Sequence, residues 1–186
     1  MFPAAPLSCF DTEAENRPLV FLDVDGPLIP IGGDHDAVEH RFDRRLTPAL
    51  ARALASNPLL YRLDARRGRW LAALPGELVW ATTWAADANE VIGPLLGLPD
   101  LPIAQWPEDA DDDQPGLVHW KTRGLVNWAA GRCFVWIDDE ITDADRRWVD
   151  ARHAAPALLH HVDPHRGLTR DDIDIISRWL IHHPSA

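Results

Sequence analysis

Two aspartates directly follow a short apolar run near the start of the chain. Residues 18–22 read Pro-Leu-Val-Phe-Leu, and Asp23-Val24-Asp25-Gly26 comes next. A short apolar run bounded by turn residues is typical of a strand buried on both faces. Side chains two positions apart in an extended chain point the same way, so both carboxylates can face one site. Gly26 permits a sharp exit from the strand.

A second acidic pair ends another apolar run. Residues 133–137 read Cys-Phe-Val-Trp-Ile, and Asp138 and Asp139 follow them. Carboxylates placed directly after a buried strand are costly unless a partner compensates their charge. This pair is therefore a second candidate for chemistry.

Two threonines and one lysine complete the candidate set. Thr82 and Thr83 follow the apolar run 77–81, and Trp84 comes next, where we expect it to lie near the site. Lys121 is the only lysine in a chain that otherwise uses arginine. An ammonium is a compact point charge that fits among crowded oxygens.

Several carboxylates in one crevice need a cation. Two like charges about 4 Å apart repel by about 4 kcal/mol at an effective dielectric constant near 20. The carboxylates would therefore take up protons unless a cation lay among them. Every candidate ligand is an oxygen, a set that suits Mg²⁺ better than Zn²⁺. We predict a magnesium site.

The elements that would position these residues alternate along the chain. The predicted strands are residues 18–22, 77–81, 101–106 (a weaker pattern), 133–137 and 157–162. The predicted helices are residues 47–56, 85–96 with a break near Gly93-Pro94, 121–130, and a final one opened by a capping box at 169–172. This alternation predicts an α/β fold, a three-layer αβα sandwich with a parallel Rossmann-like sheet. Ligands bind such sheets at the carboxyl ends of the strands, where the candidate residues fall.

These motifs, in this order, resemble the haloacid dehalogenase-like (HAD) phosphatase superfamily. Its first motif is Asp-x-Asp-Gly after a hydrophobic strand, which Asp23-Val24-Asp25-Gly26 matches, whereas Pro27 departs from the Thr or Val usual after the glycine. The resemblance extends from about residue 18 to 181. It implies that Asp23 attacks phosphorus and that Asp25 is the general acid and base.

The other motifs of the resemblance imply the remaining roles. A Thr hydroxyl would bind the phosphoryl group, and we favour Thr82 over Thr83 because Thr82 follows the apolar run directly. Lys121 takes the place of the basic residue of the family. Asp138 would be the direct magnesium ligand, and Asp139 a ligand through water or a support. The predicted metal site thus contains Asp23, Asp25, Asp138 and Asp139.

Substrate specificity in this superfamily comes from cap insertions. The gap from Trp106 to Lys121 is too short for a folded domain, and residues 29–76 leave room only for a flap or minimal cap, so we expect a small or absent cap. The basic stretch 41–69 lies in this region. Arg66 and Arg67 within it either bind the phosphorylated substrate or belong to a solvated basic face.

Composition narrows the class of protein. The 186 residues carry a formal net charge of -11, which argues against general nucleic-acid binding. No apolar run is long enough for a membrane span, and two distant cysteines fit a reducing compartment, so we expect a cytoplasmic protein. Residues 1–17 are predicted to be a flexible tail, and residues 18–186 a single HAD-like domain.

Taken together, the sequence predicts a Mg²⁺-dependent phosphomonoesterase that forms an aspartyl-phosphate. A HAD phosphotransferase and a catalytically idle binding or regulatory module remain open. A dehalogenase has no need of Asp25, and a receiver domain of a signalling pathway does not fit the Asp-x-Asp-Gly arrangement. The substrate and the oligomeric state are not predicted.

Overall fold

The computed structural model describes residues 17–32, 47–105 and 118–184. Four strands lie in this part of the chain: β1 (Leu19–Leu22), β2 (Glu77–Trp80), β3 (Phe134–Asp138) and β4 (Ala157–His161). The α-helices are α1 (Pro48–Ser56), α2 (Ala65–Ala72), α3 (Gly93–Leu96), α4 (Trp120–Ala129), α5 (Asp143–Arg152) and α6 (Arg170–His182). A 3₁₀-helix at Pro58–Arg62 follows α1, and a π-helical turn at Ala88–Ile92 precedes α3. The predicted tail lies outside the described residues, apart from Arg17.

The four strands form one parallel sheet in the order β2-β1-β3-β4. Leu22 at the end of β1 is level with Trp80 of β2 and with Ile137 of β3. The carboxyl ends of the three strands therefore reach the same edge, and the residues that follow them lie side by side.

The central strands β1 and β3 are buried on both faces because alternate side chains enter two separate cores. Val20 and Leu22 belong to a core that includes apolar residues of α1, α2 and α6. Leu19 and Phe21 belong to a second core with residues of α4 and α5. The sheet thus lies between two helical layers, which confirms the predicted three-layer αβα fold.

The connections that follow β1 and β3 cross opposite faces of the sheet. The chain reaches β2 from β1 through α1 and α2, whose Leu54 and Leu71 pack on the first face. It reaches β4 from β3 through α5, whose Val149 packs on the second face. Adjacent strands with diverging connections leave a crevice at their carboxyl ends, the usual ligand site of an open parallel sheet. Here that crevice lies beyond Leu22 and Ile137.

The predicted strand at 101–106 is wrong for the residues that the structure describes. Ile103 forms only an isolated parallel bridge with Trp80, through hydrogen bonds from Trp80 N to Pro102 O and from Ala104 N to Trp80 O, both 2.8 Å. Pro102 has no N–H to donate, so the segment cannot extend a ladder. The four other predicted strands are present.

Two helices were not predicted from the sequence. Helix α2 starts at the N-cap Asp64, whose side chain accepts the N–H of Arg66, and α5 starts at a capping box formed by Thr142 and Asp145. Both helices are rich in arginine, and only Val149 of the apolar side chains of α5 is fully buried. Their apolar pattern is consequently weak, and the capping residues are the stronger signal.

Within the described part of the chain, no helix combines the length and the apolar character needed to cross a bilayer.

Candidate active site

Asp23 is the first residue after β1, and its backbone continues in the direction of the strand. Its N–H donates to the carbonyl of Ile137 at 3.1 Å, so the backbone remains paired with β3. Its Oδ1 accepts the N–H of Val24 at 2.8 Å. The side chain is 9% exposed. Asp23 is therefore fixed at the crevice between the two strands.

A tight turn follows Asp25 and folds the chain back, so that Ile29 forms an isolated bridge with Asp25. Gly26 has φ of +79°, a conformation that favours glycine, and its N–H donates to the carbonyl of Ile29 at 3.0 Å. A Cβ atom at this position would overlap the carboxylate of Asp139. The turn is consequently packed directly against the second acidic pair.

Lys121 joins the two acidic motifs. Its Nζ lies 2.7 Å from Asp23 Oδ2 and 2.8 Å from Asp138 Oδ2, and its side chain is 3% exposed. The residue belongs to the first turn of α4, which points its N-terminus at the carboxyl edge of the sheet. The structure thus brings together three predicted site residues that are far apart in sequence.

Asp138 is fully enclosed, and its oxygens already have donors. Oδ2 accepts from Lys121 and from the indole N–H of Trp136 at 3.1 Å, and Oδ1 accepts the N–H of Glu140 at 2.9 Å. Asp139 is half-buried and lines the cavity described below. Asp139 is therefore the more accessible of the two carboxylates, and the assignment of Asp138 as the direct magnesium ligand stays a prediction.

The charges of this cluster do not balance. Oxygens of Asp23, Asp138 and Asp139 lie within 4.8 Å of one another, and Lys121 is the cation between them. Burial raises the pKa of Asp23 to about 7 although Lys121 opposes the rise and Asp138 adds to it. Burial alone would lower the pKa of Lys121, but the two carboxylates raise it above its ordinary value. Burial and the neighbouring Asp138 also raise the pKa of Asp139.

The excess of negative charge in this cluster suits a hard divalent cation. A second positive charge among Asp23, Asp138 and Asp139 would keep all three ionised, and carboxylate oxygens are the ligands that Mg²⁺ prefers. The carboxylate of Asp25, predicted as a fourth ligand, does not belong to this group. Its Oδ2 instead accepts the indole N–H of Trp84 at 2.9 Å.

A second set of metal-ligand types, His119, Asp138 and Glu140, is better explained by hydrogen bonding. Nδ1 of His119 accepts the backbone N–H of Lys121 at 3.2 Å, so Nε2 carries the proton of the neutral ring. Nε2 lies 2.9 Å from Glu140 Oε2, to which it donates. His119 thereby orients the start of α4.

A cavity of about 150 Å³ opens onto the acidic cluster. The residues that line it are Asp23, Asp25, Ile31, Thr83, Trp120, Lys121, Asp139 and Glu140. Thr82 is buried, 2% exposed, and its hydroxyl accepts the N–H of Trp84 at 3.4 Å. Of the two candidate threonines, Thr83 therefore has the better access to a ligand in the cavity. Trp84 lies at the site, where it was expected.

The two arginines proposed as substrate ligands lie outside the cavity lining. Arg67 is 7% exposed and donates to the carbonyl groups of Leu168 at 2.9 Å, Leu28 at 2.8 Å and Arg166 at 3.0 Å. These contacts make Arg67 a structural cation that joins two loops. Arg66 is paired with Asp64, with 2.7 Å between Nη2 and Oδ2.

Asp145 is a buried residue of the site region that the sequence interpretation missed. Its Oδ1 accepts the backbone N–H of His119 and the hydroxyl of Thr122, both at 2.6 Å. Its Oδ2 accepts the N–H of Thr142 at 2.8 Å and the Thr142 hydroxyl at 2.6 Å. One carboxylate thus ties the start of α4, which carries Lys121, to the start of α5. The Thr142-x-x-Asp145 spacing of a capping box was the available signal.

Comparisons with known proteins do not add an identity to this geometry: no family model, no curated protein and no solved structure matches the chain.

Proposed function

We propose that this protein is a Mg²⁺-dependent phosphohydrolase of the HAD type, in which Asp23 is the nucleophile. The observation that carries the proposal is the buried ammonium of Lys121, which bridges Asp23 and Asp138 at the carboxyl edge of the sheet. Asp25 and Asp139 line the same cavity. A carboxylate nucleophile, a second carboxylate for proton transfer and a concentrated positive charge suit phosphoryl transfer.

The first half of the reaction would transfer the phosphoryl group to the protein. An oxygen of Asp23 attacks phosphorus, the bond from phosphorus to the alcohol oxygen breaks, and an aspartyl-phosphate forms. Asp25 in its protonated form gives its proton to the departing oxygen. The ammonium of Lys121 stabilises negative charge on the phosphoryl oxygens.

The second half would return the protein to its starting state. Asp25, now ionised, takes a proton from a water molecule whose oxygen attacks phosphorus. The bond from phosphorus to the Asp23 oxygen breaks, and inorganic phosphate leaves. Asp25 ends protonated and Asp23 ionised, so the cycle can repeat.

A magnesium ion would be held by Asp23, Asp139 and Asp138, and it would supply charge neutralisation between the carboxylates and the incoming phosphate. Thr83 lies in the cavity lining and has a hydroxyl suited to a phosphoryl oxygen. We include a cytoplasmic location and the absence of general nucleic-acid binding in this proposal, since the acidic composition and the cysteine content favour both.

The direct test is phosphate release from a panel of phosphate monoesters, with Mg²⁺ and with a chelator. We expect Mg²⁺-dependent release by the unaltered protein and a loss of at least about 10³-fold in the Asp23→Asn variant, because that amide cannot act as the nucleophile. Asp150→Asn, the same exchange at an exposed position of α5, is the control. Hydrolysis that survives Asp23→Asn would rule out this mechanism.

The same panel separates the two alternatives. A phosphotransferase would transfer the phosphoryl group to an added alcohol in preference to water, which product analysis detects. An idle binding module would bind phosphate compounds without releasing phosphate from any of them.

A further inference from the structure

Two large apolar side chains line the cavity and are nevertheless exposed. Ile31 is 51% exposed and Trp120 is 40% exposed. Single exposed apolar residues are common on protein surfaces. Two of them converging on one acidic cavity are more informative, because ligand sites combine apolar walls with a few fixed polar groups.

Both side chains belong to anchored segments. The N–H of Ile31 donates to the carbonyl of Pro164 at 2.8 Å, and the carbonyl before it, of Pro30, accepts Arg62 Nη1 at 2.9 Å. Trp120 is the first residue of α4, and the centroid of its indole ring lies 5.5 Å from Lys121 Nζ. Trp120 thus lies close to the ammonium that would receive the phosphoryl group, and the backbone of Ile31 is held in place on the cavity wall. A wall fixed before binding loses little conformational entropy when a ligand packs on it.

The polar part of the lining restricts the charge of the ligand. Beyond Asp23, the carboxylates of Asp25, Asp139 and Glu140 line the cavity, and Lys121 is the cation among the lining residues. A second anionic group on the ligand would lie against this negative potential and be repelled. The phosphoryl group itself is the anion that Lys121 and a metal ion would compensate.

From these observations we propose the substrate class of the site: phosphate monoesters whose alcohol is flat and apolar and carries no second negative charge. This inference rests on the proposed function of the same cavity. A ring of the alcohol would pack on the exposed part of Trp120 and against Ile31, while its phosphoryl group meets Lys121 and Asp23. Trp120 is then a specificity-determining residue.

The test measures binding, so it does not depend on turnover. Calorimetry in the presence of Mg²⁺ would compare three phosphonates, which phosphatases cannot hydrolyse: 2-phenylethylphosphonate, ethylphosphonate and 2-carboxyethylphosphonate. We expect the phenylethyl compound to bind about tenfold more tightly than the ethyl compound, from aromatic contact and burial of its ring. The carboxyethyl compound should bind more weakly than the ethyl compound.

Two variants test whether Trp120 causes the preference for the phenylethyl compound. In Trp120→Ala the ratio of the phenylethyl to the ethyl affinity should fall from about tenfold to near one. Tyr61→Ala removes another exposed aromatic ring, 60% exposed and outside the cavity lining, and should keep the tenfold ratio. A ratio near one in the unaltered protein, a ratio that survives Trp120→Ala, or tightest binding of the carboxyethyl compound would each overturn the inference.

Failure of the proposed function gives a different pattern. In that case no ester is hydrolysed, or hydrolysis survives Asp23→Asn, while the phosphonate preference and its loss in Trp120→Ala are still observed. Absence of binding by all three phosphonates would overturn the substrate class itself.

Discussion

At the scale of single residues, the two aspartates of the first motif differ in their contacts. Asp23 contacts the ammonium of Lys121 and accepts the N–H of Val24, and in the proposed mechanism its ionised form is the nucleophile. Asp25 accepts an indole N–H at 2.9 Å and faces the cavity. A single hydrogen bond to one oxygen leaves the other oxygen of Asp25 for proton transfer. Under the proposed mechanism, Trp84 would therefore position Asp25 as the acid and base.

This role of Trp84 predicts a dependence on the leaving group. Trp84→Phe keeps a large aromatic ring but removes the N–H, so Asp25 loses its fixed orientation. We expect kcat/KM for ethyl phosphate, which reports the steps up to departure of the alcohol, to fall about tenfold or more, because an alkoxide needs a proton to depart. For 4-nitrophenyl phosphate, whose phenolate departs unprotonated, the loss of kcat/KM should be less than about twofold. Steady-state kinetics on both esters, with Trp128→Phe as the matched control, decide the matter; equal losses on both would contradict this role.

At the scale of elements, the start of α4 is positioned by α5 as well as by the sheet. The buried carboxylate of Asp145 accepts donors from His119 and Thr122 on one oxygen and from Thr142 on the other. The hydrogen bonds from His119, Thr122 and Thr142 hold the pKa of Asp145 below its ordinary value although burial opposes this. Lys121 lies between His119 and Thr122, so the ammonium that bridges Asp23 and Asp138 depends on this contact between helices.

Replacing Asp145 should therefore affect both stability and the site. In Asp145→Asn the amide nitrogen faces donors whichever way the side chain is turned, and we expect the free energy of unfolding to fall by about 3 kcal/mol. Thr122→Val removes one hydrogen bond and should cost about 1 kcal/mol. Urea unfolding measures both, and Asp150→Asn on the exposed side of α5 should change stability by less than about 0.5 kcal/mol. A similar small effect for Asp145→Asn would show that the network contributes little.

The elements also show what could be predicted from the sequence. The four strands were predicted because short apolar runs between turn residues have few alternatives in an α/β chain. Helix α5 was missed since its burial depends on Val149 and its start on a capping box, which a search for apolar periodicity does not detect. The segment at 101–105 was overestimated because its composition is apolar while Pro102 lacks a donor.

The sequence predicts the residues of the site that are positioned by the ends of the strands. Asp23 follows β1, Asp138 ends β3 and Asp139 comes next, so their proximity follows from the register of the sheet. The choice between Thr82 and Thr83, and between Asp138 and Asp139, depends on which side chain turns toward the cavity. Trp136 and Glu140 both donate to Asp138, which leaves Asp139 the more accessible of the two carboxylates. The residue types at the strand end do not determine which way these side chains turn.

At the scale of the whole molecule, binding of Mg²⁺ should increase the free energy of unfolding. In the metal-free protein the raised pKa of Asp23, about 7, means that the folded state binds a proton more tightly than the unfolded state, whose Asp has the ordinary value of 3.8. The stability gained from this proton is fully present below about pH 4 and is lost as pH rises through about 7. Mg²⁺ binds the ionised carboxylates, so its stabilising effect should increase with pH over the same range.

Thermal unfolding would measure this effect. At about 100 times its Kd, Mg²⁺ should stabilise the fold by about 2.7 kcal/mol, which corresponds to a rise in Tm of roughly 5–10 °C for a chain of this size. At one fixed Mg²⁺ concentration, the rise should be larger at pH 8 than at pH 6. Asp139→Asn should lose most of it, while Asp150→Asn should keep it. A response of Asp139→Asn equal to that of the unaltered protein would exclude the cavity as the magnesium site.

The buried guanidinium of Arg67 affects how mutations in the basic stretch can be interpreted. It connects carbonyl groups of the loop after β1 and of the loop before α6, and the first of these loops carries Ile31. Neutralising this arginine would leave three carbonyl acceptors without their donor. It would also release the loop that forms one side of the cavity. Weaker ligand binding in such a variant would thus report a displaced wall rather than a lost attraction between the basic stretch and a phosphate.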